Sequence, residues 1–120
     1  MNAFKGLLIN VEINQDYVEI SHRTFPYIHE SIEITDKKME DTVNLVQEFI
    51  RNVHREEFSP FVNFDMEIFP IVETISERGQ TIGIKLIVKA DKATHMPSLE
   101  TISHIIREVH GIVFKKLSAK

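Results

Sequence analysis

Apolar and polar residues alternate most regularly between Phe64 and Ala90. Ile82, Ile84, Leu86 and Val88 occupy one phase of a two-residue period and Gly83, Lys85, Ile87 and Lys89 the other, the pattern of a half-buried strand. The preceding arm matches it, with Phe64, Met66, Ile68, Pro70 and Val72 on one face and Asp65, Glu67, Phe69, Ile71 and Glu73 on the other. Between the arms, Glu77-Arg78-Gly79 places glycine where a three-residue bulged loop needs a left-handed backbone. Such a loop predicts a hairpin that pairs Val72 with Ile84, Ile68 with Val88, Glu67 with Lys89, Ile71 with Lys85 and Phe69 with Ile87.

The amino-terminal part repeats the strand pattern. Leu7, Ile9, Val11 and Ile13 alternate with Leu8, Asn10, Glu12 and Asn14. After turn residues, Val18, Ile20 and His22 take the inward phase of a second strand, and a four-residue loop pairs Ile13 with Val18 and Val11 with Ile20. Residues 24 to 35 read as an ordered connection, broken at Phe25-Pro26-Tyr27 and holding a short edge strand at Ile32-Glu33-Ile34. Met39, Val43, Val46, Phe49, Ile50 and Val53 then recur at helical spacing, which predicts a helix from about Lys37 to Arg55 with Asp36 as its N-cap. Lys37 and Lys38 lie at the wrong end of this helix for its dipole. A second helix opens at Pro97-Ser98 and carries Leu99, Ile102, Ile105, Ile106, Val109, Ile112, Val113 and Leu117 on one face, with Gly111 opposite the stripe.

The elements run ββαββα. They predict a single α+β domain over residues 1–120, an antiparallel sheet of four or five strands with two amphipathic helices packed on one face. A faint echo relates the halves: Ile50-Arg51-Asn52-Val53-His54 aligns with Ile106-Arg107-Glu108-Val109-His110, as a ββα duplication would.

Composition narrows the function classes. The chain has 120 residues, no cysteine and a net charge of −4. Cysteine-based catalysis and cysteine-ligated zinc are therefore excluded, and a reducing, cytoplasmic setting is expected. The start holds only a four-residue apolar run, so neither a signal peptide nor a membrane span is expected there. No basic run tracks phosphates, and nucleic acid is not an expected partner.

The histidines are the remaining candidates for chemistry. His22, His29 and His95 could meet as a three-histidine metal site at the sheet rim. His54 and His110 fall at matching places in the two helices, as a proton-transfer pair would, although His110 also reads as plain surface. His104 and Glu108 form an i,i+4 pair. No catalytic or cofactor motif accompanies these residues, so no cofactor and no enzymatic activity is expected.

The apolar residues on the outward phase are more informative. Phe69, Ile71 and Ile87, joined by Leu8, would form a hydrophobic cluster on the sheet face turned away from the helices, rimmed by Glu67, Lys85 and Lys89 as interfaces are. The expected role is a non-enzymatic association or assembly module, acidic overall, that self-associates as a homo-oligomer or docks on another protein through that face. The alternative is a small-molecule- or metal-binding protein or acid-base enzyme that uses the rim histidines. A competing arrangement for the cluster has residues 24–35 folding over and covering it.

Overall fold

A computed structural model describes residues 8–29, 31–57, 60–70 and 79–119. The strands are β1 (Leu8–Ile13), β2 (Val18–Thr24), β3 (Tyr27–His29), β4 (Val62–Pro70) and β5 (Gly79–Ala90), and the helices are α1 (Asp36–Glu57) and α2 (Leu99–Ser118). All pairings are antiparallel: β5 is central, flanked by β4 on one side and by β2 and β3 on the other, with β1 outside β2. Helix α2 lies against β2, β3 and β5 and helix α1 against β4 and α2, so the domain is α+β with both helices on one sheet face.

The alternation in β5 sets the core. Ile82, Ile84, Leu86, Val88 and Ala90 are buried beneath the helices with Ile20, Ile28 and Val62, and α2 contributes Ile102, Ile105, Ile106, Val109, Val113 and Leu117. Helix α1 adds Val46 and Ile50. The expected α2 stripe is thus buried in most of its length. Leu99 departs from it and is exposed, one turn before the helix reaches the sheet. Gly111 faces open space, as its position opposite the stripe implies.

Three local expectations change. Thr35, rather than Asp36, caps α1, its hydroxyl accepting from the Lys38 amide at 3.1 Å, and Asp36 becomes the first helical residue. Lys38, misplaced for the dipole of its own helix, reaches the far end of α2, where its ammonium donates to the carbonyls of Leu117 (3.2 Å) and Ala119. A lysine unfavourable to one helix terminus therefore completes the other.

The third change concerns residues 24–35. Ile32 and Ile34 pack on the core without forming a strand, and the short strand is Tyr27–His29 instead. Thr24 faces Ile84, and three residues later Tyr27 faces Thr81, so the register with β5 runs through Phe25-Pro26 unbroken. The Ile82 amide donates to the Pro26 carbonyl at 2.9 Å across that point. Proline lacks an amide but keeps its carbonyl, so the ladder pauses at Phe25-Pro26 and resumes. β2 and β3 are one long partner of β5, and the segment extends the sheet instead of folding over it.

The β4–β5 register also differs from expectation. Ile68 faces Ile84, Glu67 faces Lys85 and Phe69 faces Gly83, which is a slip of four residues from the register that a loop at Glu77-Arg78-Gly79 implies. Gly79 lies inside β5, paired with His29, while Glu77, Arg78, Ile71 and Val72 lie outside the described residues. Because the slip is even, every side chain keeps its face.

Candidate interaction surface

The outer face of the sheet is assembled differently from the expected cluster. Ile87 has Ser21 on one side and Asp65 on the other. Phe69 sits opposite Gly83, four residues or roughly 13 Å along β5 from Ile87 at strand rise, so the two do not form a pair. Lys85 lies between Arg23 and Glu67, and Lys89 between Glu19 and Asn63 with its ammonium 3.9 Å from the centre of the Tyr17 ring. Of the remaining members, Ile71 lies outside the described residues, and Leu8 is described only as the backbone partner of Arg23.

Phe69 has a structural partner of its own. Its ring covers Gly83 so closely that a Cβ placed there would lie 2.5 Å from the ring. The Tyr27 ring covers Gly79 in the same way, and Phe25 is half-buried opposite Gly83. Aromatic rings laid across strand glycines restore the contacts that the missing side chains leave open. Much of the apolar character of the outer face is thereby accounted for within the monomer, and Phe69 is only 37% exposed.

A contiguous row of exposed apolar side chains without such an account lies on β1. Ile9, Val11 and Ile13 pair with His22, Ile20 and Val18 and therefore share the helix side of the sheet. Neither helix covers them: α2 packs against β2, β3 and β5, and Ile9, Val11 and Ile13 are 48, 48 and 82% exposed. Among the described residues no strand pairs with the outer edge of β1 either. The row thus combines an exposed apolar face with a strand edge that is unpaired among the described residues. In the sequence Ile9, Val11 and Ile13 read as one face of a strand and nothing more, because alternation reports a strand face and not what covers it.

Behind this row the β2–α2 contact is polar. His22 is buried, and its Nε2 lies 3.2 Å from the Ser103 hydroxyl while Nδ1 is 3.4 Å from the Arg23 carbonyl. The carbonyl only accepts, so Nδ1 carries the proton of that bond, and in the neutral ring that burial favours Nε2 accepts from the Ser103 hydroxyl. Two turns along α2, the His110 Nδ1 meets the Thr24 hydroxyl at 2.5 Å, so His110 is half-buried instead of plain surface. Burial lowers the pKa of both rings from 6.5, and for His22 the nearby Arg107 charge adds to the effect while the bond to the Arg23 carbonyl opposes it.

A histidine with a depressed folded pKa binds fewer protons folded than unfolded just below pH 6.5, so stability is full above that pH and falls as protons are taken up below it. The melting temperature is accordingly expected to drop between pH 7 and pH 5, with a smaller drop in His22→Gln. A pH-independent melt over this range, measured by circular dichroism, would show that neither ring is held neutral by the fold.

The other histidines are dispersed. The exposed His29 contacts Ser31, whereas His95 stacks on Phe61 with ring centres 5.0 Å apart and bonds Asp91 at 2.7 Å. That bond holds the Asp91 carboxyl below its usual pKa. His22, His29 and His95 therefore have separate partners, and among the described residues no three metal-ligating groups converge. His54 bonds the Val62 carbonyl beside Phe64, remote from the Thr24 partner of His110, so the two helix histidines do not form a proton-transfer pair. His104 and Glu108 form the expected helix-surface pair at 3.7 Å. An open cleft of about 330 Å³ lies between α1 and β4, lined by Gln47, Ile50, Arg51 and His54 of the helix and by the β4 edge from Asn63 to Met66.

Among the described residues no helix is long and apolar enough to cross a membrane. No family model, curated protein or solved structure matches the chain, so the surfaces themselves carry the functional argument.

Proposed function

We propose that this chain is a non-enzymatic association module that binds another protein chain through edge strand β1. The observation that carries the reading is the exposed row Ile9, Val11 and Ile13 on a strand whose outer edge is unpaired among the described residues. Fully burying an exposed aliphatic side chain of this size is worth about 1.5 to 3 kcal/mol, and proportionately less for Ile9 and Val11, which are already half covered, while strand addition satisfies the backbone groups at the same time. The outer sheet face has a weaker case, because Phe69 already covers Gly83 and Ile87 stands between polar neighbours. The small-molecule reading lacks the gathered histidines it would use, since His22, His29 and His95 are engaged separately.

The test compares two surfaces. Val11→Glu and Ile13→Glu are expected to leave the circular dichroism spectrum unchanged and to shift the melt only slightly, because exposed positions usually change stability by no more than about 0.5 kcal/mol. Both should remove any assembly above the 13.9 kDa monomer in sedimentation velocity. Phe69→Glu should instead lower the melting temperature, by uncovering Gly83, and leave assembly intact. The opposite result, with assembly lost in Phe69→Glu and kept in both β1 variants, would return the interface to the outer face.

A further inference from the structure

We infer that the occupant of β1 is a second copy of this chain, paired β1 to β1 about a two-fold axis perpendicular to the sheet. The inference rests on β1 being the association surface and adds the partner and the register.

The first argument is the contrast between the two outer strands. β4 presents Asn63, Asp65 and Glu67 along its polar phase and carries Pro70 at its last described position, features that discourage the addition of a further strand. β1, Leu-Ile-Asn-Val-Glu-Ile, has no proline, glycine or lysine and a single charge, Glu12. Among the described residues one edge is guarded and the other is open.

The second argument is self-complementarity. In an antiparallel pair related by this axis, directly opposed residues share a sheet face, so the axis must pass through a residue position and not between two. An axis at Glu12 would oppose Glu12 to its own copy, a like-charge pair that destabilises a ladder. An axis at Asn10 would set Glu12 against Leu8, a charge opposite an apolar residue, and would leave Ile13, the most exposed member, without a partner among the described residues. An axis at Val11 opposes Val11 to Val11, Ile9 to Ile13 and Asn10 to Glu12. All three apolar side chains of each copy then gain a cross-strand apolar neighbour, and the only charge faces an amide. The order apolar-polar-apolar-polar-apolar over Ile9–Ile13 reads the same in either direction, a symmetry that a foreign strand would not require.

Because the same edge is used by both copies, the assembly closes at two and doubles the five-stranded sheet. Pairing β1 to β4 of the next copy would instead continue without limit.

Sedimentation velocity over a range of concentrations should therefore show a species of twice 13.9 kDa and nothing larger, which Val11→Glu and Ile13→Glu both reduce to one chain. The absence of cysteine gives a second readout. On oxidation, Val11→Cys should form a disulfide-linked dimer about tenfold faster than Asn10→Cys, since only thiols near the axis come within bridging distance. A wild type that remains monomeric at the highest concentration overturns the self-pairing and leaves the β1 reading to a foreign partner. Mass that grows without limit overturns the closed dimer in favour of β1-to-β4 addition. A dimer that survives in both glutamate variants overturns the self-pairing and the β1 reading together. A dimer lost in those variants, but with Asn10→Cys oxidising as fast as Val11→Cys, overturns the Val11 axis alone and leaves β1 as the association surface.

Discussion

Leu86→Ala is expected to destabilise the domain by about 2 to 5 kcal/mol, the range for large-to-small changes at sites that cannot collapse. Leu86 sits in the middle of the central strand, opposite His22 on one neighbour and Met66 on the other, and is fully buried beneath the helix layer. The backbone of β5 is hydrogen-bonded along both edges, so it cannot sink into the space that a lost isobutyl group leaves. For a domain of total stability about 5 to 15 kcal/mol, that loss approaches half of the whole. Urea denaturation measures it. Ile87→Ala, one residue along and on the opposite face, should cost less because Ile87 is only half-buried between Ser21 and Asp65. Equal losses at the two positions would mean that the faces of β5 are wrongly assigned.

The second large effect is expected at Gly79. Its φ of +154° falls where side-chain-bearing residues are rarely found, and it pairs with His29 at the start of β5. A Cβ at this position would collide with the Ile28 carbonyl oxygen and come within 2.7 Å of the Tyr27 ring. The tyrosine can turn aside, but the carbonyl belongs to β3 and cannot move without disturbing the β3–β5 ladder. Gly79→Val should therefore cost about 1 to 3 kcal/mol, and Gly79→Ala most of the same, because the first carbon already makes the collision. A glycine in an exposed hairpin loop would behave differently, with alanine tolerated better than valine. Thermal or urea denaturation of the two variants separates the cases, and near-zero losses in both would contradict the close approach of β3 to β5.

Local pattern identified most of the elements. The four longer strands and both helices appear where periodicity places them, and the Ile13–Val18 and Val11–Ile20 pairs follow from the length of the first turn. Inward and outward faces were legible for the same reason: a period of two or of 3.6 is a property of the chain segment itself. The even slip in the β4–β5 register shows how far that information reaches. It moved Phe69 from Ile87 to Gly83 without changing the face of either, because alternation constrains parity and leaves the offset free. The short strand was misplaced because Pro26 stops an amide ladder locally, whereas the neighbouring strand β5 carries the pairing across the gap.

The candidate surface was not legible in this way. Ile9, Val11 and Ile13 have the same alternation as Ile82, Ile84 and Leu86, yet one row is exposed and the other fully buried. The difference arises from strand order and from where α2 lies, and both are set by contacts between residues far apart in the chain. The same holds for Phe69, whose outward phase gives no sign of Gly83 beneath its ring. It also holds for His22 and His110, which spacing left on separate elements and which tertiary packing places along one polar contact between β2 and α2. The elements and their faces follow from local pattern, since they depend on neighbours within one strand or turn. Which apolar face is left uncovered follows from packing, because cover is supplied by a different part of the chain.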